Sequence, residues 1–296
     1  MHAYFSDDQL RHHGKTFIVA GEKKPIPEVP ERAEILRGAV ARLGLDLHAP
    51  NDAGLAPIAA IHDAQYLNFL QTIHDEWQDV GGAEQVIPNI HPFDRNGPYP
   101  RHPAGKAGFH LGDTSCPVSI TTWHSAYASA QTAIAAARHV RDQGANTAYA
   151  LCRPPGHHAS GNIAGGFCYL NNSAIAAEEL RCKYDRVAIL DVDLHHGNGT
   201  QHIFYDRSDV MTLSIHADPM DFYPFYWGHA EECGEKDGLG FNHNQALPLG
   251  SGDDVFLDAL DRSLAKIDDF GADAVVIALG LDASRDDPFG GLTVSP

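Results

Sequence analysis

The sequence predicts an α/β protein built on an open parallel sheet with helices on both faces. Short apolar runs of strand length alternate with longer segments of helical periodicity, which is typical of βαβ units. Several of the apolar runs end directly at acidic or histidine residues, as in parallel sheets that bind ligands at the carboxyl ends of their strands. No internal repeat or low-complexity tract interrupts this pattern, so we predict one domain over residues 1–296.

The elements follow from this alternation. The predicted strands are the apolar runs Ala3–Phe5, Thr147–Leu151, Val187–Asp191, Val210–Ile215 and Ala274–Leu279. The predicted helices are Pro30–Leu43, Pro57–Trp77, Trp123–Gln143, Leu170–Arg181 and Asp253–Phe270, two of which begin with a proline suited to a first turn. Residues 81–122 lack periodicity and are too many for a routine connection, which predicts a functional loop. A surface excursion without a role is the alternative.

Charge restricts the class of partner. The chain has 21 basic and 39 acidic residues among 296, a net charge of −18. This balance disfavours contacts with a phosphate backbone, so we expect no nucleic-acid partner. It favours cationic small molecules or lysine-bearing peptides, although a solvated acidic surface explains the charge equally well.

The cysteines and the amino terminus point to a cytoplasmic protein. The five cysteines are widely spaced and include no Cys-x-x-Cys pair, which predicts neither a disulfide framework nor a thiolate zinc site. A basic stretch followed by an apolar one is missing at the amino terminus, and no apolar run approaches bilayer length. We therefore expect no signal peptide and no membrane anchor.

The segment that carries most chemistry runs from Asp191 to Gly199, directly after an apolar strand. Side chains two apart in an extended chain share a face, so Asp191, Asp193 and His195 can converge at the strand's carboxyl end. One imidazole with one or two carboxylates suits Zn²⁺, Fe²⁺ or Co²⁺ and leaves room for water. A capped strand end with surface acids is the alternative.

Two further segments place polar residues after strands. Asp282 follows the last apolar run through Gly280 and Leu281, and we predict it as a third metal ligand, although such an Asp is commonly a turn residue. His157 and His158 follow a loop of two prolines, Pro154 and Pro155, which restrict the backbone, and a glycine at position 156. Adjacent imidazoles could move a proton and stabilise charge, or form a surface pair without function.

These segments together resemble the histone deacetylase superfamily in order and spacing. Arginase-like enzymes share a related fold, but the histidine pair and the Gly-Phe motif are similar to deacetylases. Asn198 and the long loop resemble the bacterial acetylpolyamine amidohydrolases more than the eukaryotic histone enzymes. The segments that carry the resemblance are Arg153–His158, Gly166–Asn172, Asp191–Gly199, Leu213–His216 and Gly280–Asp282.

The resemblance implies a zinc-dependent hydrolysis of an N-acetyl amide. Asp193, His195 and Asp282 would bind zinc, with Fe²⁺ or Co²⁺ possible in its place. His158 would act as general base and then as acid, while His157 would stabilise charge electrostatically.

The resemblance also assigns supporting residues. Asp191 would orient His157, and Asn198 would contact His158. Gly166, Phe167 and Tyr223 would line a tunnel for the acyl chain, where a core role is the default for any aromatic. A structural K⁺ is implied at five residues, partly through backbone carbonyls: Asp191, Asp193, His195, Ser214 and Ile215.

Three expectations concern the activity. The family's oxyanion-binding tyrosine lies near the carboxyl terminus, and no tyrosine follows Asp282, so we expect a missing C-terminal catalytic segment.

The loop 81–122 would narrow the site through a homodimer contact. We expect a small acetylated amine, an acetylpolyamine or acetylated diamine, as substrate; a protein lysine deacetylase and a non-catalytic acetyl-ligand binder are the alternatives.

Overall fold

The computed structural model describes all 296 residues, which fall into two compact units, Met1–Ala176 and Ala177–Pro296. Each unit has its own parallel sheet. The predicted α/β class with parallel strands flanked by helices is therefore confirmed. The single domain over residues 1–296 and the missing C-terminal segment stay predictions.

The first unit contains a three-stranded parallel sheet and most of the helices. Its elements in chain order are β1 (His2–Tyr4), β2 (Thr16–Val19), β3 (Glu22–Pro25), α1 (Pro30–Arg42), β4 (Asp46–His48), α2 (Ala56–Ala59), α3 (Ala64–Asp79), α4 (Pro103–His110), α5 (Thr122–Gln143) and β5 (Ala148–Ala150). The sheet order is β4-β1-β5, and β2 and β3 form a separate antiparallel pair. Helix α5 packs on β1 and β5. The next helix, α6 (Asn172–Arg181), contains the boundary between the units.

The second unit contains a four-stranded parallel sheet in the order β8-β7-β6-β9. Its elements are β6 (Val187–Asp191), α7 (Asn198–Phe204), β7 (Val210–Ala217), β8 (Asn242–Leu247), α8 (Asp253–Phe270) and β9 (Ala274–Ala278). Every residue of β6 and β7 is buried, as expected for the central strands of a parallel sheet. Asp191, the last residue of β6, pairs with Ser214 of β7 on one side and Ala278 of β9 on the other.

The strands and helices with a clear apolar pattern in the sequence agree with the prediction. Several short or polar elements were not predicted. The bounds of β6 and α8 are as predicted. The predicted helix Pro57–Trp77 is instead two helices, α2 and α3. The backbone of Asp63 between them is not helical, and its N–H donates to Gly161 O at 3.0 Å. The hairpin β2-β3 has only a short apolar run at residues 17–19, followed by a fully exposed β3, and β8 is rich in Asn and Gln, so neither has the pattern of a buried strand.

The segment 81–122 is not wholly irregular, because α4 lies within it. Pro103 occupies the first turn, and the Nδ1 atom of His102 accepts a hydrogen bond from the backbone N–H of Ala104 at 3.2 Å. Two glycines within its eight residues weaken the helical pattern in the sequence. No helix of either unit is long and apolar enough to cross a membrane.

A buried histidine makes the first unit sensitive to acid. His62 is 1% exposed; its Nε2 accepts from the backbone N–H of Asn171 at 2.9 Å, and its Nδ1 lies 3.3 Å from Gly161 O. Both ring nitrogens are thus used by the neutral imidazole. Burial lowers the pKa of His62 to about 4, more than the backbone carbonyl of Gly161 raises it.

We expect the free energy of unfolding to fall on acidification between about pH 6.5 and pH 4. The unfolded chain takes up a proton there that folded His62 does not, which costs about 1.4 kcal/mol per pH unit. Urea unfolding at several pH values measures this slope, and His62→Asn should reduce it. His124→Asn, at an exposed position, is the control that should leave it unchanged.

Candidate functional site

Three predicted metal ligands meet at the carboxyl edge of the second unit's sheet. The donor atoms of Asp193, His195 and Asp282 all lie within 4.8 Å of one another. His195 Nδ1 is 2.9 Å from Asp282 Oδ2 and 3.1 Å from Asp193 Oδ1. We call these three residues the metal triad.

The backbone after β6 holds the triad in place. The backbone N–H of His195 donates to Asp193 Oδ1 at 2.8 Å, and that of Leu194 donates to Asp282 Oδ1 at 2.9 Å. The backbone N–H of Asp193 in turn donates to Asp191 Oδ1 at 3.1 Å. The residues at alternate positions of this segment therefore orient one another. Asp282 lies beside them because it follows β9, which pairs with β6.

The electrostatics of the triad favour a cation. Burial alone would lower the pKa of His195, but hydrogen bonds to Asp193 and Asp282 and their charges outweigh it and raise the pKa to about 10. Burial and the charge of Asp193 raise the pKa of Asp282. Two carboxylates aimed at one imidazole, all largely shielded from water, form a donor set suited to a divalent metal.

Gly280 is required by the close approach of the backbone to Asp193. A Cβ atom at position 280 would lie 2.2 Å from Asp193 Oδ2 and 2.5 Å from Asp193 Cα. Since backbone as well as side chain is in the way, rotation of the carboxylate cannot relieve the clash.

We therefore expect Gly280→Ala to displace Asp193 and to weaken metal binding by about tenfold or more, as is usual when ligand orientation is lost. Chelator competition with the purified protein measures the affinity. Gly97→Ala is the matched control, because a Cβ atom there meets nothing within 4 Å. Equal affinities for the two variants would contradict the role of Gly280.

Aromatic rings surround His195. The ring of Tyr223, predicted as a tunnel residue, has its centroid 6.0 Å from that of His195 in an edge-on arrangement. Phe222 and Phe289 lie at 5.3 and 5.4 Å and were not predicted. The three rings place apolar surface beside the triad, which reduces its contact with water and strengthens electrostatic interactions there.

The residues predicted for potassium also belong to this unit. Asp191 and Ser214 are paired neighbours on β6 and β7, and Ile215 follows in β7. All three are buried. The Ser214 hydroxyl lies 2.8 Å from His216 Nδ1. The potassium assignment stays a prediction.

In the first unit, a buried arginine braces the loop before the histidine pair. Arg153 donates from Nη1 to Gln9 O and from Nη2 to His12 O, both at 2.7 Å, and its Nε lies 2.8 Å from Glu28 Oε1. The next residue, Pro154, follows a cis peptide bond, and its carbonyl accepts from Ser129 Oγ at 2.9 Å. The loop therefore leaves β5 in one defined direction.

The histidine pair and the Gly-Phe motif lie together. His157 and His158 are buried, with ring centroids 4.0 Å apart. A Cβ atom at Gly166 would lie 2.2 Å from His158 Cδ2, and Gly166 has a φ of +49°, so only glycine fits beside this imidazole. Phe167 lies edge-on to Phe17 with ring centroids 5.7 Å apart.

The remaining predicted site residues have defined local positions. Asn198 is the first residue of α7, and Asp191 supports Asp193 as described. Contacts of Asp191 with His157 and of Asn198 with His158 stay predictions. Sequence reasoning missed Glu28, Phe17 and Asp113, whose Oδ2 accepts from the backbone N–H of Gly166 at 3.1 Å. No local pattern marks them, because each acts on a residue at least 50 positions away.

Comparison with known proteins defines the class. The profile of the histone deacetylase domain matches residues 26–296. The chain is 49% identical, over 97% of its length, to an acetylpolyamine amidohydrolase of Burkholderia pseudomallei and covers 84% of that protein. The chain therefore belongs to the histone deacetylase family, and the prediction that it is an amidohydrolase enzyme of this family is confirmed.

Other relatives agree with this class. Acetylpolyamine amidohydrolase 1 of Pseudomonas aeruginosa is 45% identical over 97% of the chain, which covers 84% of that protein. The crystal structure of the Burkholderia pseudomallei acetylpolyamine aminohydrolase superposes with a TM-score of 0.97 at 48% identity, covering 100% of this chain and 86% of that one. The HDA15 HD domain has a TM-score of 0.79 at 26% identity, covering 99% and 78%.

Proposed function

We propose that this protein hydrolyses the N-acetyl amide of a small amine, an acetylpolyamine or acetylated diamine, and releases acetate and a primary amine. The observation that carries the proposal is the convergence of Asp193, His195 and Asp282 at one edge of a parallel sheet. The names of the relatives that are 49% and 45% identical supply the substrate class.

The donor set fits a divalent metal, and we propose zinc. A bound Zn²⁺ supplies a Lewis acid for the acetamide carbonyl and lowers the pKa of a water molecule toward 7. Asp193, His195 and Asp282 would hold it through two carboxylates and one imidazole. The backbone N–H of Leu194, which donates to Asp282 Oδ1, would keep the Asp282 carboxylate oriented toward this metal.

We assign the proton transfers to the histidine pair. His158 would take a proton from the attacking water and deliver it to the nitrogen of the leaving amine, while His157 stabilises the developing charge. The close fit of Gly166 against His158 supports this role, since a general base must be held in one orientation. The tunnel role of Gly166, Phe167 and Tyr223 is part of the same proposal.

A protein lysine deacetylase is the second candidate. Histone deacetylases of Arabidopsis thaliana and Caenorhabditis elegans are 38% and 43% identical, but over only 58% and 53% of this chain. The acetylpolyamine enzymes match over 97%, which favours the small amine. The homodimer, the structural K⁺ and the cytoplasmic location stay predictions.

Acetate release tests the proposal directly. Metal-stripped protein restored with Zn²⁺ or Co²⁺ is offered acetylputrescine, acetylcadaverine, acetylspermidine and an acetyl-lysine peptide in parallel. We expect metal-dependent turnover with a higher kcat/KM for the free acetylated amines than for the peptide. His158→Ala should lower turnover, whereas His13→Ala, at an exposed site, should not.

Each alternative predicts a different result. A higher kcat/KM for the peptide would favour the protein deacetylase. Metal binding and substrate binding without acetate release would favour the non-catalytic binder and contradict the proposal.

A further inference from the structure

A second group of metal-binding side chains lies in the first unit, on residues that the proposed function does not use. His2 belongs to β1, and Asp46 and His48 belong to the adjacent strand β4. Their donor atoms all lie within 4.8 Å of one another. We call these three residues the histidine cluster.

Sheet register explains why residues so distant in sequence meet. Strands β1 and β4 are parallel, with His2 opposite Asp46 and Tyr4 opposite His48. Because side chains two apart share a face, Asp46 and His48 project on the same side of β4, and His2 projects beside them. Asp46 and His48 are exposed and His2 is partly buried, so the cluster is open to solvent.

A third imidazole, from helix α5, lies against the cluster. His139 is 6% exposed, and its ring is stacked on that of His2 with centroids 4.3 Å apart. Its buried Nδ1 has no hydrogen-bond partner. A buried polar atom without a partner costs free energy, and a ligand bound beside it would offset that cost.

We propose that the histidine cluster, with His139 behind it, binds a divalent transition-metal ion such as Zn²⁺. Imidazole nitrogens and one carboxylate are the donors that Zn²⁺, Ni²⁺ and Cu²⁺ prefer over Mg²⁺ or Ca²⁺. The rings of His48 and His2 are stacked with centroids 4.6 Å apart, so two imidazole donors lie side by side next to the carboxylate of Asp46.

Only small movements are needed to form the site. Tetrahedral coordination at 2.0 to 2.1 Å places donor atoms about 3.3 Å apart. The donors already lie within 4.8 Å, and rotation of the exposed His48 and Asp46 side chains closes the difference. The ion would link β1 to β4, so its binding should raise the thermal stability of the protein.

Zinc stoichiometry and affinity test the proposal with the full chain. Metal-stripped protein is titrated with Zn²⁺ against a chromogenic chelator, and Tm is followed in parallel. We expect two Zn²⁺ per chain for the wild type and one for His48→Gln. Asp282→Asn, which disables the metal triad, should retain one, and Zn²⁺ should still raise its Tm.

The double variant Asp282→Asn/His48→Gln isolates the cluster. Its remaining affinity should be at least about tenfold weaker than that of Asp282→Asn, because a direct ligand has been removed. His13→Gln, an exposed histidine of the same unit, is the matched control and should leave two sites.

The outcomes separate this proposal from the proposed function. Equal Zn²⁺ stoichiometry in the wild type and His48→Gln, or equal affinity in Asp282→Asn and the double variant, would overturn the cluster. If Asp282→Asn does not fold, the Zn²⁺ stoichiometries of the wild type and His48→Gln still test whether the cluster binds metal. A third outcome is a single Zn²⁺ per wild-type chain that is lost in His48→Gln and kept in Asp282→Asn. This result would support the cluster and contradict zinc binding at the triad.

Discussion

Asp282→Asn is expected to lower metal-dependent acetate release by at least about a thousandfold. Asn has the shape of Asp, and its oxygen can still accept from the backbone N–H of Leu194, so the fold should be retained. The change removes one of the two carboxylate charges beside His195, and the proposed zinc site loses a negatively charged ligand. Metal catalysis contributes several kcal/mol to a transition state, and each 1.4 kcal/mol is a factor of ten in rate.

The measurement is kcat/KM for acetylputrescine at saturating Zn²⁺, together with Zn²⁺ affinity. Asp254→Asn is the matched control, since Asp254 is an exposed carboxylate at the start of α8. Activity of Asp282→Asn within a few fold of the control would refute the assignment of Asp282 as a ligand.

Glu28→Gln is expected to destabilise the first unit by about 3 to 5 kcal/mol, the usual cost of leaving a buried charge without its partner. Arg153 and Glu28 are 3% and 4% exposed and 2.8 Å apart. Burial raises the pKa of Glu28, against the opposing charge of Arg153, and burial lowers the pKa of Arg153. The two charges therefore depend on each other, and Gln would leave the guanidinium uncompensated.

Thermal unfolding measures the effect, and a fall in Tm of roughly 10 °C is expected for a protein of this size. The matched control is Glu84→Gln, which breaks the exposed ion pair of Lys15 and Glu84 and should cost less than about 1 kcal/mol. A similar Tm for both variants would contradict the bracing role of Arg153. Turnover should also fall in Glu28→Gln, because Arg153 directs the loop that carries His157 and His158.

Much of the metal triad was predictable from sequence. The strand β6 is a continuous apolar run, and the period of two along an extended chain places Asp191, Asp193 and His195 on one face. The histidine pair, His157 and His158, was also singled out from the residues themselves, and the family resemblance added only a separate role for each. The convergence of Asp193 and His195 was predictable because it depends on neighbours within a few residues, where backbone geometry alone relates the side chains.

Other features of the site depend on contacts between distant segments. Asp282 was predicted as a ligand from its place after an apolar run, but its contact with His195 across 87 positions depends on the pairing of β9 with β6, which neither strand's own pattern specifies. Glu28 and Arg153 meet in the same way, and Gly280 is required only because Asp193 lies against it. The histidine cluster likewise exists because β1 and β4 are paired in one register.

The sequence by itself thus determined the α/β class, through local alternation of apolar and polar residues, and the family, through motifs in their order and spacing; it also predicted where candidate metal ligands follow a strand. The tertiary structure decided which distant side chains complete each site. Strand order, register and the close approach of backbone segments depend on how the whole chain packs, and a residue such as His139 carries no sign of its partners until the helix that holds it lies on the sheet.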